Sequence, residues 1–476
     1  MSSAIDLRSD ISSLRTAHPD MFQKLDNLRN KIDQKNSGME DPSETNFLWG
    51  FELEHPVAQK VADRRHLQGL HQRLEVLTEE IRALDGYERF MLPLVEREMM
   101  SLARDGAIVV VNSSSFHSDA LIVTSSAIRI LRLPDLDFYA SKAYMQRINS
   151  IFGRTNMESR GRDNKELSRI LLWLWDTVVG PVFRELGLEP QQTAIKNLWW
   201  IGVGHLSKLP FHAAGKHPSK SKSAINFVNS SYAPTMKALW YARQVAKPEG
   251  GANRLRIELI SMSNTAGHAP LPNVKDEIRC IYEIAEKRAD VETFESPSKG
   301  QILRQLHQKY DEDVLRIVHF ACHGLSDTEN PLESHVLLLE DVNTSSSTSI
   351  EPRAAKLSVR EVSSMRVQNA YLAYLGACHT ANNSVVKLAD EGLHVVSSFQ
   401  LAGFRHVIGN MWKADDESCR LFSREFYGHL LADGGARKGG DGMVEVSEAF
   451  HHALKEVRKS APGDFIGWIP FVHFGV

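Results

Sequence analysis

Val314-Leu315-Arg316-Ile317-Val318-His319-Phe320-Ala321 runs into Cys322-His323-Gly324, and Ala370-Tyr371-Leu372-Ala373-Tyr374-Leu375 runs into Gly376-Ala377-Cys378. Short, continuous runs rich in β-branched and aromatic residues suit strands covered on both faces, so each reads as a buried strand of a parallel sheet. Each run ends on a reactive side chain. Ligands of open α/β sheets lie outside the carboxyl ends of the strands. His323 and Cys378 are therefore expected side by side at one rim.

The rest of the chain sets bounds on this reading. Its 476 residues predict two or more domains with sizeable cores. Apolar and charged contents of 42% and 24% are those of an ordinary globular protein. A net charge of −3 argues against a nucleic-acid partner, which calls for a basic surface. No apolar run reaches membrane-spanning length, so no membrane partner is expected. The first ten residues lack the apolar stretch of a signal peptide. Four scattered cysteines (Cys280, Cys322, Cys378, Cys419) do not make a disulfide framework. A reduced, cytoplasmic protein is expected.

Outward from the two strands the pattern alternates. Residues 1–105 read as a helical region. Pro19 suits a helix start, with Phe22, Leu25, Leu28 and Ile32 along one face. Leu70, Leu74, Leu77, Ile81 and Leu84 form a second helical stripe. No internal period marks repeats. Strands follow at 107–111, 120–124 and 128–131, then a helix at 139–152 and a loop at 153–164. A helical face from Leu167 to Val178 is expected to end at Gly180-Pro181. Leu198–Val203 reads as a strand and Tyr232-Ala233-Pro234 as a helix start. Another strand lies at 256–261, with a helix from Val274 through Cys280. Helices are expected near 417–432 and 443–458. The alternation argues for an α/β fold with a mostly parallel sheet flanked by helices, preceded by an all-α segment.

Several chemistries drop out. Gly202-Val203-Gly204 after a strand invites a dinucleotide reading, but the third glycine of the phosphate turn is Ser207. There is no P-loop, no zinc-protease histidine pair and no Gly-X-Ser-X-Gly elbow. His319, Cys322, His323, Cys378 and His379 do not collect on one side of a strand and lack paired Cys-X₂-Cys spacing, so no metal is expected. No cofactor is expected either. What remains is a thiol and an imidazole. A free thiol titrates near 8.5, and a neighbouring histidine favours the thiolate. Cys378 is the candidate nucleophile and His323 its proton partner. The N–H groups of Gly324 and Cys378 are candidates for an oxyanion hole. Cys322 alternates to the opposite face and reads as a buried filler.

At these residues the chain resembles the CHAT family, caspase- and separase-like peptidases often found behind tetratricopeptide repeats. The resemblance is carried by His319–Gly324, Leu375–Thr380, Asp390–His394, Gln400–Trp412, Leu209–Gly215 and Trp468–Gly475, in that family's order, over about 107–476. It implies a caspase-like domain at 106–476 with its core at about 190–476, and a helical region at 1–105 akin to an eroded repeat segment of the fungal type. It also implies a cysteine endopeptidase with a Cys378–His323 dyad, acting on a protein or peptide substrate and held latent until an activating protein partner binds. Where separase-like relatives carry an aspartate lining an arginine pocket, this chain has Asp416 with Asp415 beside it. That implies a basic P1 preference. Both aspartates also fit a helix cap. Two positions depart from the family pattern, Gly376 in place of a serine and His379 in place of a glutamate, and both bear on the loop around the nucleophile. The rival reading is a catalytically silent signalling module built on the same sheet.

Overall fold

The computed structural model describes residues 14, 17–37, 55–153, 157–190, 196–217, 219, 222–244, 254–327, 331–341, 353–376, 395–432 and 443–476. They fall into two compact units, Met1–Pro93 and Leu94–Val476. In the first, helices Pro19–Ser37 and His55–Arg82 share a small core of Leu14, Leu25, Leu77, Ile81 and Phe90. The two apolar stripes of the sequence face that core.

The second unit is built on one sheet of eleven strands. In chain order the strands of the unit are β1 (Gly106–Ser113), β2 (Ser118–Val123), β3 (Ile128–Arg132), β4 (Lys196–Gly202), β5 (Val228–Tyr232), β6 (Arg254–Ser261), β7 (Asp290–Glu295) and β8 (Val314–Ala321). They continue with β9 (Gly324–Leu325), β10 (His335–Leu339), β11 (Ala354–Ser358), β12 (Ala370–Leu375), β13 (His406–Asn410) and β14 (Phe471–Gly475). The large sheet has the order β3-β2-β1-β4-β5-β14-β13-β12-β8-β6-β7, and β11-β10-β9 form a small antiparallel sheet. Neighbours from β1 through β4 and β5 to β14 run parallel, as do those from β13 through β12, β8 and β6 to β7. The two halves meet head to tail at the antiparallel pair β13–β14. Every residue of β8 and of β12 is buried, as expected of strands covered by helices on both faces.

The structure corrects two local readings and shows two features that the sequence left unassigned. The loop expected at 153–164 gives way to a helix at Arg160–Leu174. Gly180-Pro181 does not end it. A π-turn at Trp175–Val179 shifts the Gly180 N–H onto the Trp175 carbonyl, and the helix resumes over Gly180–Glu185 with Pro181 in its first turn. There the missing N–H of proline is tolerated. The segment 228–232, too polar to read as a strand, is one, because β4 and β14 pair with it. The Gly202/Gly204 pair serves a turn. A Cβ at Gly202 would come within 2.5 Å of the Leu206 backbone, and Gly204 has φ +60°, so both let the chain fold back on β4.

Candidate active site

β8 and β12 are hydrogen-bonded neighbours in parallel register, with Leu375 opposite Phe320. Beyond β8 the chain turns out of the large sheet and enters the small one through His323. Both flanks of the histidine are pinned. Met262 N–H bonds the Ala321 carbonyl at 2.9 Å and Leu337 N–H bonds that of His323 at 2.9 Å. Beyond β12, Gly376 N–H bonds the Phe320 carbonyl at 2.9 Å. A Cβ at Gly376 would stand 3.1 Å from that same oxygen, a crowding that glycine relieves. Cys378 and His379 lie outside the described residues.

A cleft of about 550 Å³ opens at this rim, walled by His323, Gly324, Gly376, Asp415, Asp416 and Glu277 among others. The half-buried His323 ring places Nε2 2.8 Å from the Ala269 carbonyl oxygen. A carbonyl only accepts, so Nε2 carries the proton and Nδ1 keeps the lone pair of the neutral ring. Burial, the largest cause, holds the His323 pKa below 6.5, and the charges of His268 and Lys413 add to it. The Ala269 contact and Asp416 oppose the shift. The His268 ring lies 5.2 Å from that of His323. Gly324 stands opposite Val336 in the small sheet. With Leu337 N–H on the His323 carbonyl, Gly324 occupies a non-hydrogen-bonded position of that ladder, so its own N–H turns away from β10.

The two aspartates have separate surroundings. Asp415 caps the helix Asp416–Leu430, accepting from Ser418 N at 2.9 Å and Ser418 Oγ at 2.9 Å. It also meets Arg160 Nη2 at 3.1 Å, and Arg160 in turn is paired to Asp464. Asp416 accepts the Asn273 N–H at 2.8 Å through Oδ2. Burial, then the charges of Glu277 and Asp415, raise its pKa against the pull of Asn273.

Sequence reasoning missed Glu277, Arg160 and the Ala269 carbonyl. Glu277 left a signal. It follows Val274 by three and precedes Ile281 by four, on the apolar face of the helix Val274–Ala285. Arg160 left none, and a backbone carbonyl has no side-chain signature. Of the other cysteines, Cys280 is half-buried, while Cys322 and Cys419 are buried but line the cleft, the Cys419 sulfur lying 4.0 Å from the Gly376 carbonyl. Among the described residues, no group of three His, Cys, Asp or Glu side chains is arranged to hold a metal ion, and no helix is long and apolar enough to cross a membrane.

Sheet order, helices on both faces and a cleft at the carboxyl ends of β8 and β12 define a caspase-like α/β fold. The CHAT domain model matches residues 168–475, and the chain belongs to the CHAT family. Among solved structures it is similar to separase of Saccharomyces cerevisiae in its complex with securin. One structure of that complex gives 11% identity and a TM-score of 0.52, covering 89% of this chain and 34% of separase. A second gives 10% and 0.54, covering 96% and 37%. The chain thus spans about a third of the separase chains it matches. The Arg-specific cysteine proteinase gingipain R of Porphyromonas gingivalis gives 9% identity and a TM-score of 0.39, covering 63% of this chain and 68% of gingipain. No curated protein matches the chain in sequence.

Proposed function

We propose that this chain is a cysteine endopeptidase that cleaves after a basic residue. Cys378 is the nucleophile and His323 its partner. His323 Nδ1 takes the thiol proton, and the sulfur attacks the peptide carbonyl. The N–H groups of Gly324 and Cys378 hold the oxyanion, each such donor being worth on the order of 10²–10³ in kcat. The imidazolium then protonates the leaving amine, and water releases the acid from the acyl-enzyme. Asp416 receives the basic P1 side chain. Asp415, engaged by its cap and by Arg160, shapes the wall beside it. The observation that carries this reading is the pinned His323 at the mouth of the cleft, its Nε2 fixed by Ala269 so that the lone pair on Nδ1 is available to a thiol.

Separase is found bound to securin, which supports a protein partner for this chain too; release from latency by such a partner is part of the proposal. The test is covalent labelling of the full chain by an arginyl acyloxymethyl ketone, with and without a cellular extract to supply activators. Label is expected on the wild type and absent from Cys378→Ala and His323→Ala. Absence of label from all three, extract included, sinks the peptidase and leaves a silent interaction module.

A further inference from the structure

Glu277 is 2% exposed, yet it lines the cleft. Its Oε1 accepts the Ser423 hydroxyl at 2.5 Å, and Tyr374 OH lies 2.9 Å from Ser423 Oγ. One hydrogen per hydroxyl orients the relay: Tyr374 donates to Ser423, and Ser423 donates to Glu277. His319 Nε2 lies 3.3 Å from the same oxygen but lacks the alignment of a hydrogen bond. Among the described residues Oε2 accepts nothing, and no lysine or arginine pairs with Glu277. A buried carboxylate without a cation is costly, and such sites are retained where something else supplies the charge.

Asp416 is a second acidic group at this wall, held by Asn273 through its backbone N–H, which reaches Oδ2 at 2.8 Å, and through its side chain. The two carboxylates sense each other, since Glu277 is one of the charges that raise the Asp416 pKa. The other charged or titratable groups lining this cleft are Asp163, Cys322, Cys419, Asp415, Lys413, His268, His323 and Arg160, the last already engaged by Asp464 and Asp415.

We propose that Glu277 and Asp416 together form a two-carboxylate floor that selects a guanidinium over an ammonium side chain, an assignment that rests on the peptidase reading of the cleft. Glu277 offers one fixed and one spare oxygen, and Asp416 adds a second negative charge beside it. A guanidinium presents five N–H donors in a rigid plane and reaches two acceptors at once, whereas an ammonium is a compact point charge. If Glu277 served only to receive the Ser423 hydroxyl, a glutamine carbonyl would serve as well. That separates the two roles.

The experiment uses the full chain carrying Cys378→Ala, titrated calorimetrically with agmatine and with cadaverine. Agmatine is expected to bind about tenfold more tightly, a gap of about 1.4 kcal/mol. Adding Glu277→Gln removes most of that gap by weakening agmatine alone, while Asp416→Asn weakens both amines. Glu277→Gln also moves the acid limb of agmatine binding to lower pH, because Asp416 loses a like-charged neighbour. Glu277→Asp, which keeps the charge but shortens the reach, is expected to shrink the gap too, and it stands in should the glutamine variant misfold. Unchanged agmatine affinity in the Glu277 variants, or no binding of either amine, overturns the proposal. The peptidase reading is judged apart from it, by labelling of Cys378 with a leucyl acyloxymethyl ketone, which needs no cation pocket.

Discussion

Asp416 sits where its charge is poorly solvated. Burial is the largest cause of its raised pKa, and the neighbouring carboxylates add to it. A carboxyl group whose folded pKa exceeds its unfolded value of 3.8 stabilises the fold when protonated. That contribution is fully present below the unfolded pKa and is lost as pH rises through the folded one. At neutral pH the ionised side chain is therefore a burden, of the kind binding sites carry at some expense in stability. Asp416→Asn keeps an acceptor for Asn273 N–H and removes the charge. It is expected to raise Tm at pH 7 by about one to a few degrees, with the difference shrinking toward pH 4 as the wild-type carboxyl protonates. Thermal melts at the two pH values check this, and a lower Tm for the variant at pH 7 would mean that the charge is already compensated. His323 gives a second pH signature. With its pKa held below 6.5, the ring stays neutral into mild acid. Cleavage of an arginyl peptide should keep an acid limb below that value, and a limb at or above it contradicts the assignment of His323 as the base.

At the scale of the element, β8 carries two polar residues along one buried strand and delivers a third just past its tip. Near its start, Arg316 is wholly buried and forks onto Glu258 of β6, Nε to Oε1 at 3.0 Å and Nη2 to Oε2 at 2.7 Å. Its remaining donors reach the carbonyls of Gln305 and Leu306 at the end of the helix Lys299–His307. Midway and on the opposite face, His319 stacks on Tyr374 of β12 at 4.3 Å. His323 follows just past the tip. The alternation of a strand explains why Arg316 and His319 meet different helices. Breaking a buried ion pair leaves a charge stranded and costs about 3–5 kcal/mol. Arg316→Met should therefore lower the denaturation midpoint strongly, and adding Glu258→Leu should recover part of the loss, because Arg256 retains Asp290 and Glu292 as partners. A double variant no more stable than the single one would show that the pair is not the source of the effect. The same strand shows what a sequence makes legible. The apolar runs of β8 and β12 stand out because every residue in them is covered, and their tips could be read from that alone. β5 could not. Val228-Asn229-Ser230-Ser231-Tyr232 is a strand by virtue of its neighbours, with Ser230 under Trp200 Nε1 at 3.2 Å and Ser231 on His473 at 2.7 Å. Arg160 looked like loop because its partner, Asp464, lies hundreds of residues away. The loop-borne Ala269 carbonyl that fixes His323 is invisible to any reading of side chains.

At the scale of the molecule, β14 joins two parallel half-sheets that run in opposite directions. It is antiparallel to β13 and parallel to β5, and the Trp199 indole of β4 bonds the Gly475 carbonyl at 2.8 Å. Phe471, Val472 and Phe474 are at most 6% exposed. Burial of each such side chain contributes about 1.5–3 kcal/mol, so the three together amount to about 5–9 kcal/mol, a range that overlaps the whole stability of a typical domain at about 5–15. Removing residues 471–476 also strips β13 and β5 of their ladder partners and leaves two unpaired edges, which invite aggregation. The truncated chain is expected to lose cooperative melting and to be recovered insoluble. Removal of residues 1–93 should act differently, because the core of Leu94–Val476 is internal to that unit. That chain is expected to stay soluble and to melt in a single transition within a few degrees of the second unit in the intact protein. Differential scanning calorimetry of the two truncations decides the matter. A cooperative transition in the chain lacking 471–476 would mean that each half-sheet stands without the strand between them.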